Sequence, residues 1–304
     1  MRSYLNELVK LNRKCTDNGN VASYIPELAI ANSSNLGVCV CDNNEMQCAG
    51  DFHEKFTIQS VSKPLVLILA LMDQGEEAVF EKVGKEPSGD PFNSIIRLET
   101  YKKQKPYNPM INAGAIAIAA LIKGESKEEK IERILRFIRK IAHNNEININ
   151  QSVFNSEKET GNRNRAIAHF LKDIGNLEGD IDEVLDVYFS QCSIEIDCRD
   201  LANMAMVLSL DGKSHITGET LFPKRYAKIA KSYMMTCGMY DGSGEFAIRV
   251  GIPAKSGVGG GILAVVPNRF GIGVYGPSLD EKGNSVGGLN ILEALSKEYD
   301  FNIF

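Results

Sequence analysis

The sequence has little that would place it in a membrane or on nucleic acid. Its longest strongly apolar stretch runs only from Pro64 to Met72, far short of the roughly 20 residues a membrane-spanning helix needs. Lys and Arg number 34 against 39 Asp and Glu, a net charge of -5. No basic surplus points to nucleic acid or an anionic membrane as partner. The opening residues MRSYLNELVKLNRK mix charge into an amphipathic pattern and lack the continuous apolar core of a signal peptide. Internal repeats, low-complexity tracts and long linkers are missing too. Seven cysteines, an odd count, stand at 15, 39, 41, 48, 192, 198 and 237 without metal-type C-x-x-C spacing. We expect them to be reduced, in a cytoplasmic protein. Cys39 and Cys41 sit on a probable strand and are expected to point to opposite faces. Tryptophan is absent, which says nothing about function.

What is present is enough for a large core. The chain has 304 residues, 43% of them hydrophobic, which suits one large domain or two subdomains sharing a core. Residues 4–16 read as an amphipathic helix, and 36–42 and 45–50 as two strands around an Asn43-Asn44 hairpin signal. A continuous apolar run follows Gln59-Ser60 and ends at Gly75. It reads as a buried helix beginning at or just after Ser60, with Pro64 in its first turn and Gly75 as its natural C-cap. From 76 to about 240 the pattern is mostly helical. The clearest segment is 126–143, where Ser126 and Glu129 give a capping-box signature and Ile131, Ile134, Leu135, Ile138 and Ile141 follow the helical period. Helices are also expected over 199–210, 226–235 and 285–299. GEFAIRVGIP, GILAVVP and RFGIGVYG read as β-type runs. Strands at both ends and helices between them predict one antiparallel sheet, covered by the terminal helices, with a helical lobe beside it. A cleft between the lobes is the expected place for a site.

The chemistry starts from Ser60-Val61-Ser62-Lys63, the single S-x-x-K of the chain. At a helix start, residues three apart share a face, so Lys63 can reach the Ser60 hydroxyl. A serine needs a base to become a nucleophile, and a lysine serves once burial lowers its pKa. Alone, the motif is better read as a capping serine and a solvated lysine. The single K-[ST]-G, Lys255-Ser256-Gly257 among the late strands, changes that. The two together are the paired signature of serine β-lactamases and penicillin-binding proteins. Four glycines in residues 257–261 allow close backbone approach. The Val258 N–H can pair with that of Ser60 as an oxyanion hole.

Longer stretches are more specific. GDFHEKFTIQSVSKP (50–64), NPMINAGAIA (108–117), SEKETGNRNRAIA (156–168), YFSQCSI (188–194), AKSGVGGGI (254–262) and GNVASYIPELA (19–29) resemble the glutaminase family of that fold. The likeness covers residue 19 to the C-terminal helix. It implies an α+β, serine β-lactamase-like fold: an antiparallel sheet flanked by helices plus a helical subdomain. We expect one catalytic unit over 1–304, with a sheet subdomain at about 1–60 and 200–304 and a helical one at about 61–199. The resemblance implies hydrolysis of L-glutamine to L-glutamate and ammonia through a glutamyl-serine intermediate at Ser60. It implies no metal or organic cofactor, and a dimer or tetramer. By that resemblance Ser60 is the nucleophile and Lys63 its base partner, with Tyr188 close to the nucleophile and Lys255 supporting the site. Asn112, Glu157, Asn164, Tyr240 and Val258 match substrate contacts, and Tyr24 closes the pocket. Glu157 and Asn164, seven residues apart, are expected on one helix face. The general base stays open between Lys63 and Tyr188. Phe154 stands where the family pattern has tyrosine, and Gly161 loosens the run between Glu157 and Asn164. Ankyrin-type repeats and long flanks of larger animal relatives are absent from the sequence, so a bacterial-type enzyme is expected. The rivals are another serine amidohydrolase of this fold, such as a β-lactamase or peptidase, and a non-catalytic amino-acid-binding protein.

Overall fold

The computed structural model describes residues 1–88, 93–94 and 105–304. The helical reading of 89–92 and 95–104 lies outside these residues. Five antiparallel strands form the main sheet: β1 (Gly37–Cys41), β2 (Met46–Gly50), β6 (Ala254–Ser256), β7 (Gly261–Val266) and β8 (Phe270–Tyr275), in the order β2-β1-β8-β7-β6. N-terminal and C-terminal strands thus share one sheet, as the sequence pattern predicts. A second, small sheet joins β3 (Phe56–Thr57), β5 (Ile194–Ile196) and β4 (Asn148–Ile149) beside it.

The two faces of the main sheet are covered differently. The helices Arg2–Asn12 and Val286–Tyr299 close one face, where Leu5, Leu8, Val38, Val40, Ile262, Ile291 and Leu295 pack together. The helix Cys198–Ser209 lies on the other face. Its start is fixed by Asp197, whose side chain accepts from the Arg199 and Asp200 N–H groups, while Asp200 Oδ2 accepts from the Asp197 N–H at 3.0 Å. Beyond it stand the helices Ser62–Lys82, Asn112–Ala120, Lys127–Ala142 and Ile181–Cys192. Their shared core centres on the run Pro64–Leu71, buried throughout. Burying each such leucine or isoleucine contributes about 1.5–3 kcal/mol. This core holds the nucleophile turn in place.

The Gly75 stop does hold: Gly75 takes φ 82 and ends the first helical segment, and a second segment then continues to Lys82. Several other expectations are corrected. GEFAIRVGIP is not a strand: Ser243–Arg249 form a helix that buries Phe246 and leaves Ile248 exposed. Ser126 caps its helix by accepting from Glu129 N–H, but Glu129 returns to the N–H of Glu125, so the box is not reciprocal. Cys39 and Cys41 share a face, because side chains two apart on a strand point the same way; both join the helical-side core. Nor are all cysteines reduced. Cys39 and Cys48 lie directly opposite across β1 and β2, Cα atoms 4.1 Å apart, and form a disulfide. The other five are thiols. Among the described residues no helix is long and apolar enough to cross a membrane.

Candidate active site

Ser60 sits in a 3-10 turn, Gln59–Val61, directly ahead of the helix Ser62–Lys82. Gln59 holds a left-handed φ of 47, a region non-glycine residues rarely enter. Contacts fix it there: its carbonyl accepts from Ser62 Oγ at 2.7 Å, and its side chain bonds Thr57 Oγ1 at 3.3 Å and Glu157. Lys63 follows one turn later and is buried. Its Nζ donates to the Met110 carbonyl at 3.0 Å and to Asn112 Oδ1 at 2.7 Å. Burial pushes the ammonium down to about 8, against the charge of Glu157, which works to raise it. Asn112 in turn donates through Nδ2 to Asn164 Oδ1 at 3.0 Å. One amide therefore joins the lysine to the far wall of the site.

The glycine-rich strand approaches from the other side. A Cβ on Gly259 would come within 2.5 Å of the Thr57 carbonyl, so only glycine lets this strand lie against the nucleophile turn. Here the structure adds a contact the sequence did not disclose. Tyr240, held at φ 53, brings its hydroxyl beside Ser60 and the Val258 backbone N–H. Burial is the main cause that raises this hydroxyl, and Ser60 and Val258 partly offset it. Lys255 is fully buried behind the ring, Nζ 4.3 Å from its centroid, donating to the carbonyls of Gly238 at 2.9 Å and Ser256 at 2.6 Å. Burial holds its amine well below the ordinary lysine range.

In front of Ser60 opens a cavity of about 250 Å³. Tyr24, Ser60, Asn112, Glu157, Asn164 and Tyr188 all line it. Lys63, Tyr240, Val258 and Lys255 stand behind its wall, each joined to it through the contacts above. Glu157 is buried and its carboxyl is raised to about 7 by desolvation, with Gln59 and Lys63 pulling it back. Glu157 and Asn164 do not share a helix. The chain breaks at Gly161 between the helices Gln151–Thr160 and Asn162–Asp173. A Cβ there would meet the Glu157 carbonyl at 2.6 Å and the Phe189 ring at 2.7 Å. Both side chains still reach the cavity. Tyr188 has its hydroxyl beside the Cys192 sulfur. Tyr24 keeps half its surface in solvent while its hydroxyl is buried among Glu157, Tyr240 and Cys192, and is raised by that burial. Gln59, Arg163 and Cys192 also line it and were not singled out from the sequence. Their signal was proximity: Gln59 and Arg163 adjoin chosen residues, and Cys192 lies one helical turn past Tyr188.

A buried serine, a desolvated lysine and a carboxylate-lined cavity now have relatives to be set against. The family profile described as Glutaminase matches residues 19–304. The chain belongs to the glutaminase family. It is 57% identical to a glutaminase of Clostridioides difficile strain 630, over 99% of this chain and 97% of that protein. It is 54% identical to a glutaminase of Clostridium botulinum strain Hall over the full length of both. Among solved structures, a probable glutaminase from Bacillus subtilis complexed with 6-diazo-5-oxo-L-norleucine superposes with a TM-score of 0.92 at 41% identity, covering 100% of this chain and 96% of that one. The fold expected of a glutaminase, an antiparallel sheet with a helical partner, is the one observed. Glutamine hydrolysis is the activity of this glutaminase.

Proposed function

We propose that this glutaminase acylates and deacylates Ser60. The observation that carries the reading is the burial of Lys63, whose amine is held at about 8 one helical turn from the serine. A neutral lysine amine has two N–H groups, which Met110 and Asn112 accept. In this scheme the amine's lone pair takes the Ser60 proton. Ser60 Oγ attacks the side-chain amide carbon, the proton passes to Lys63, and an oxyanion forms. Tyr240, beside Ser60, gives its proton to the leaving nitrogen and takes the one held by Lys63 in exchange as the C–N bond breaks and ammonia departs. Water then attacks the glutamyl ester, its proton returns to Ser60, and glutamate leaves. We assign the proton relay to Tyr240 and substrate binding to Tyr188. The Ser60 and Val258 N–H groups are the oxyanion donors in this scheme. Glu157 takes the α-ammonium as a charge-assisted contact. Arg163, at the cavity wall, is the cation placed for the α-carboxylate among the described residues. The diazoketone held by the Bacillus subtilis relative has its reactive carbon where glutamine carries the amide, which suits a nucleophile at this depth.

The sheet and helical subdomains at about 1–60 with 200–304 and about 61–199, a cytoplasmic location and a homo-oligomeric state belong to the same proposal. In a reducing compartment the Cys39–Cys48 bond opens, and the strand register keeps the two thiols opposed. Fractionation and light scattering test location and assembly. The central test is ammonia release from glutamine by the purified protein beside Ser60→Ala. We expect a loss of about 10³-fold or more with unchanged melting. Residual turnover above a few per cent of wild type would sink the assignment of Ser60.

A further inference from the structure

Cys192 has no part in the scheme above, yet it sits among the groups that do. It closes the helix Ile181–Cys192 one turn after Tyr188, and residues four apart share a helix face. Both side chains are buried and both line the substrate cavity. The Tyr188 hydroxyl and the Cys192 sulfur lie close enough that each shifts the other's titration. Burial raises the thiol beyond any working pH, so the sulfur is neutral and a poor nucleophile. Of the two partners, the phenol is the better donor and the sulfur a weak acceptor. Once the Tyr188 O–H is directed at sulfur, its oxygen has only lone pairs to offer the cavity. Those lone pairs lie beside Glu157, a charged neighbour of Tyr188. Two acceptors side by side suit a donor with several hydrogens and a positive charge.

We propose that Cys192 is a positioning residue: its sulfur takes the Tyr188 O–H, so that Tyr188 and Glu157 together accept from the substrate's α-ammonium group. The thiol thereby contributes to selection of an α-amino acid over the same amide lacking its amine. Without the sulfur, the Tyr188 hydroxyl is free to turn its hydrogen toward the cavity, where an ammonium repels it. The inference rests on the reading of this cavity as the glutamine site.

The test compares L-glutamine with 4-carbamoylbutanoate, which is glutamine without the amino group. KM for the first and the competitive inhibition constant for the second are measured in wild type, Cys192→Ala, Cys192→Ser, Tyr188→Phe and the Tyr188→Phe/Cys192→Ala double variant. One hydrogen-bond's worth of orientation corresponds to about a fivefold change. We expect Cys192→Ala to raise KM for glutamine about fivefold, with kcat and the inhibition constant for 4-carbamoylbutanoate within about twofold. Cys192→Ser, which keeps an acceptor, should restore KM to within about twofold. In the Tyr188→Phe background the alanine change should add nothing, since its target hydroxyl is gone. Equal weakening of both ligands, additive losses, or an unchanged KM in Cys192→Ala would each overturn the proposal. Should the alanine variant fail to fold, Cys192→Val fills the space without an acceptor and gives the same readout. Ser60→Ala in the same assay separates the two levels: turnover retained there defeats the glutaminase scheme, whereas a silent Cys192→Ala with Ser60→Ala inactive defeats only this inference.

Discussion

The two faces of the five-stranded sheet are built from the same strands and do opposite work. On the outer face Val38, Val40, Ala254 and Ile262 join a wholly apolar core with the two terminal helices and Phe246. On the inner face the buried lysines, Lys63 and Lys255, and the buried Glu157 are gathered around one cavity. Alternation along β6 places Ala254 in the outer core and turns Lys255 inward. The outer face stabilises the fold, whereas the inner face gives up stability by keeping ionisable groups dry. Lys63 is lowered and Glu157 raised because each resists its charge. That discomfort is what makes a lysine usable as a base near neutral pH.

This contrast can be broken by experiment. The largest effect beyond Ser60 should come from Tyr240→Phe. Loss of the hydroxyl beside Ser60 should lower kcat about 100-fold, while Tyr188→Phe acts mainly on KM. Single-turnover kinetics on both variants would show it, and equal kcat losses would remove Tyr240 from the relay. Glu157→Gln should raise KM for glutamine about tenfold or more. The same substitution should stabilise the protein. A carboxyl raised from 4.5 to about 7 in the folded state binds its proton more tightly there than when unfolded. Stability therefore falls as pH rises between these values and stays low above them. Glutamine carries no such slope, so the variant should gain on the order of 1–2 kcal/mol above pH 7 and nothing below about pH 4.5. Denaturant titration at both pH values decides.

A smaller effect is the acid limb of wild-type kcat/KM. Glu157 must lose a proton at about 7 and Lys63 at about 8 to become competent. Activity should thus climb through pH 7–8, with the lower component missing in Glu157→Gln. A flat profile across that range would contradict both assignments. On the outer face, Leu292→Ala removes a fully buried side chain and should cost about 2–5 kcal/mol of stability. Its kcat should stay within about twofold. A large fall in kcat with a folded variant would show that the faces are not independent.

Much of the inner face could be read from the sequence because it is local. Ser60 and Lys63 are three residues apart, and the glycine run declares a close backbone approach. Glu157, Asn112 and Asn164 came through the family resemblance and do line the cavity. The Tyr240–Ser60 contact joins residues 180 positions apart through a left-handed turn at Tyr240, and no periodicity reports such a meeting. The helix Ser243–Arg249 was read as a strand because Phe246, Ile248 and Val250 alternate. Seven residues are too few for a 3.6-residue period to outvote a period of two. The Cys39–Cys48 pair, by contrast, was within reach. A turn centred on Asn43-Asn44 pairs 41 with 46 and 39 with 48, so the hairpin signal already contained its register.

The Asn112 amide has a further consequence. Its oxygen faces a donor, Lys63 Nζ, and its nitrogen faces an acceptor, Asn164 Oδ1. The side chain is thus a polarised connector with only one way round. Aspartate has almost the same outline, but it would set oxygen against oxygen at Asn164 and place a full negative charge beside Lys63. The amine would then be held as ammonium, and its proton would be hardest to lose where catalysis needs it gone. At this position shape is the cheap requirement, and the direction of a single dipole is the demanding one.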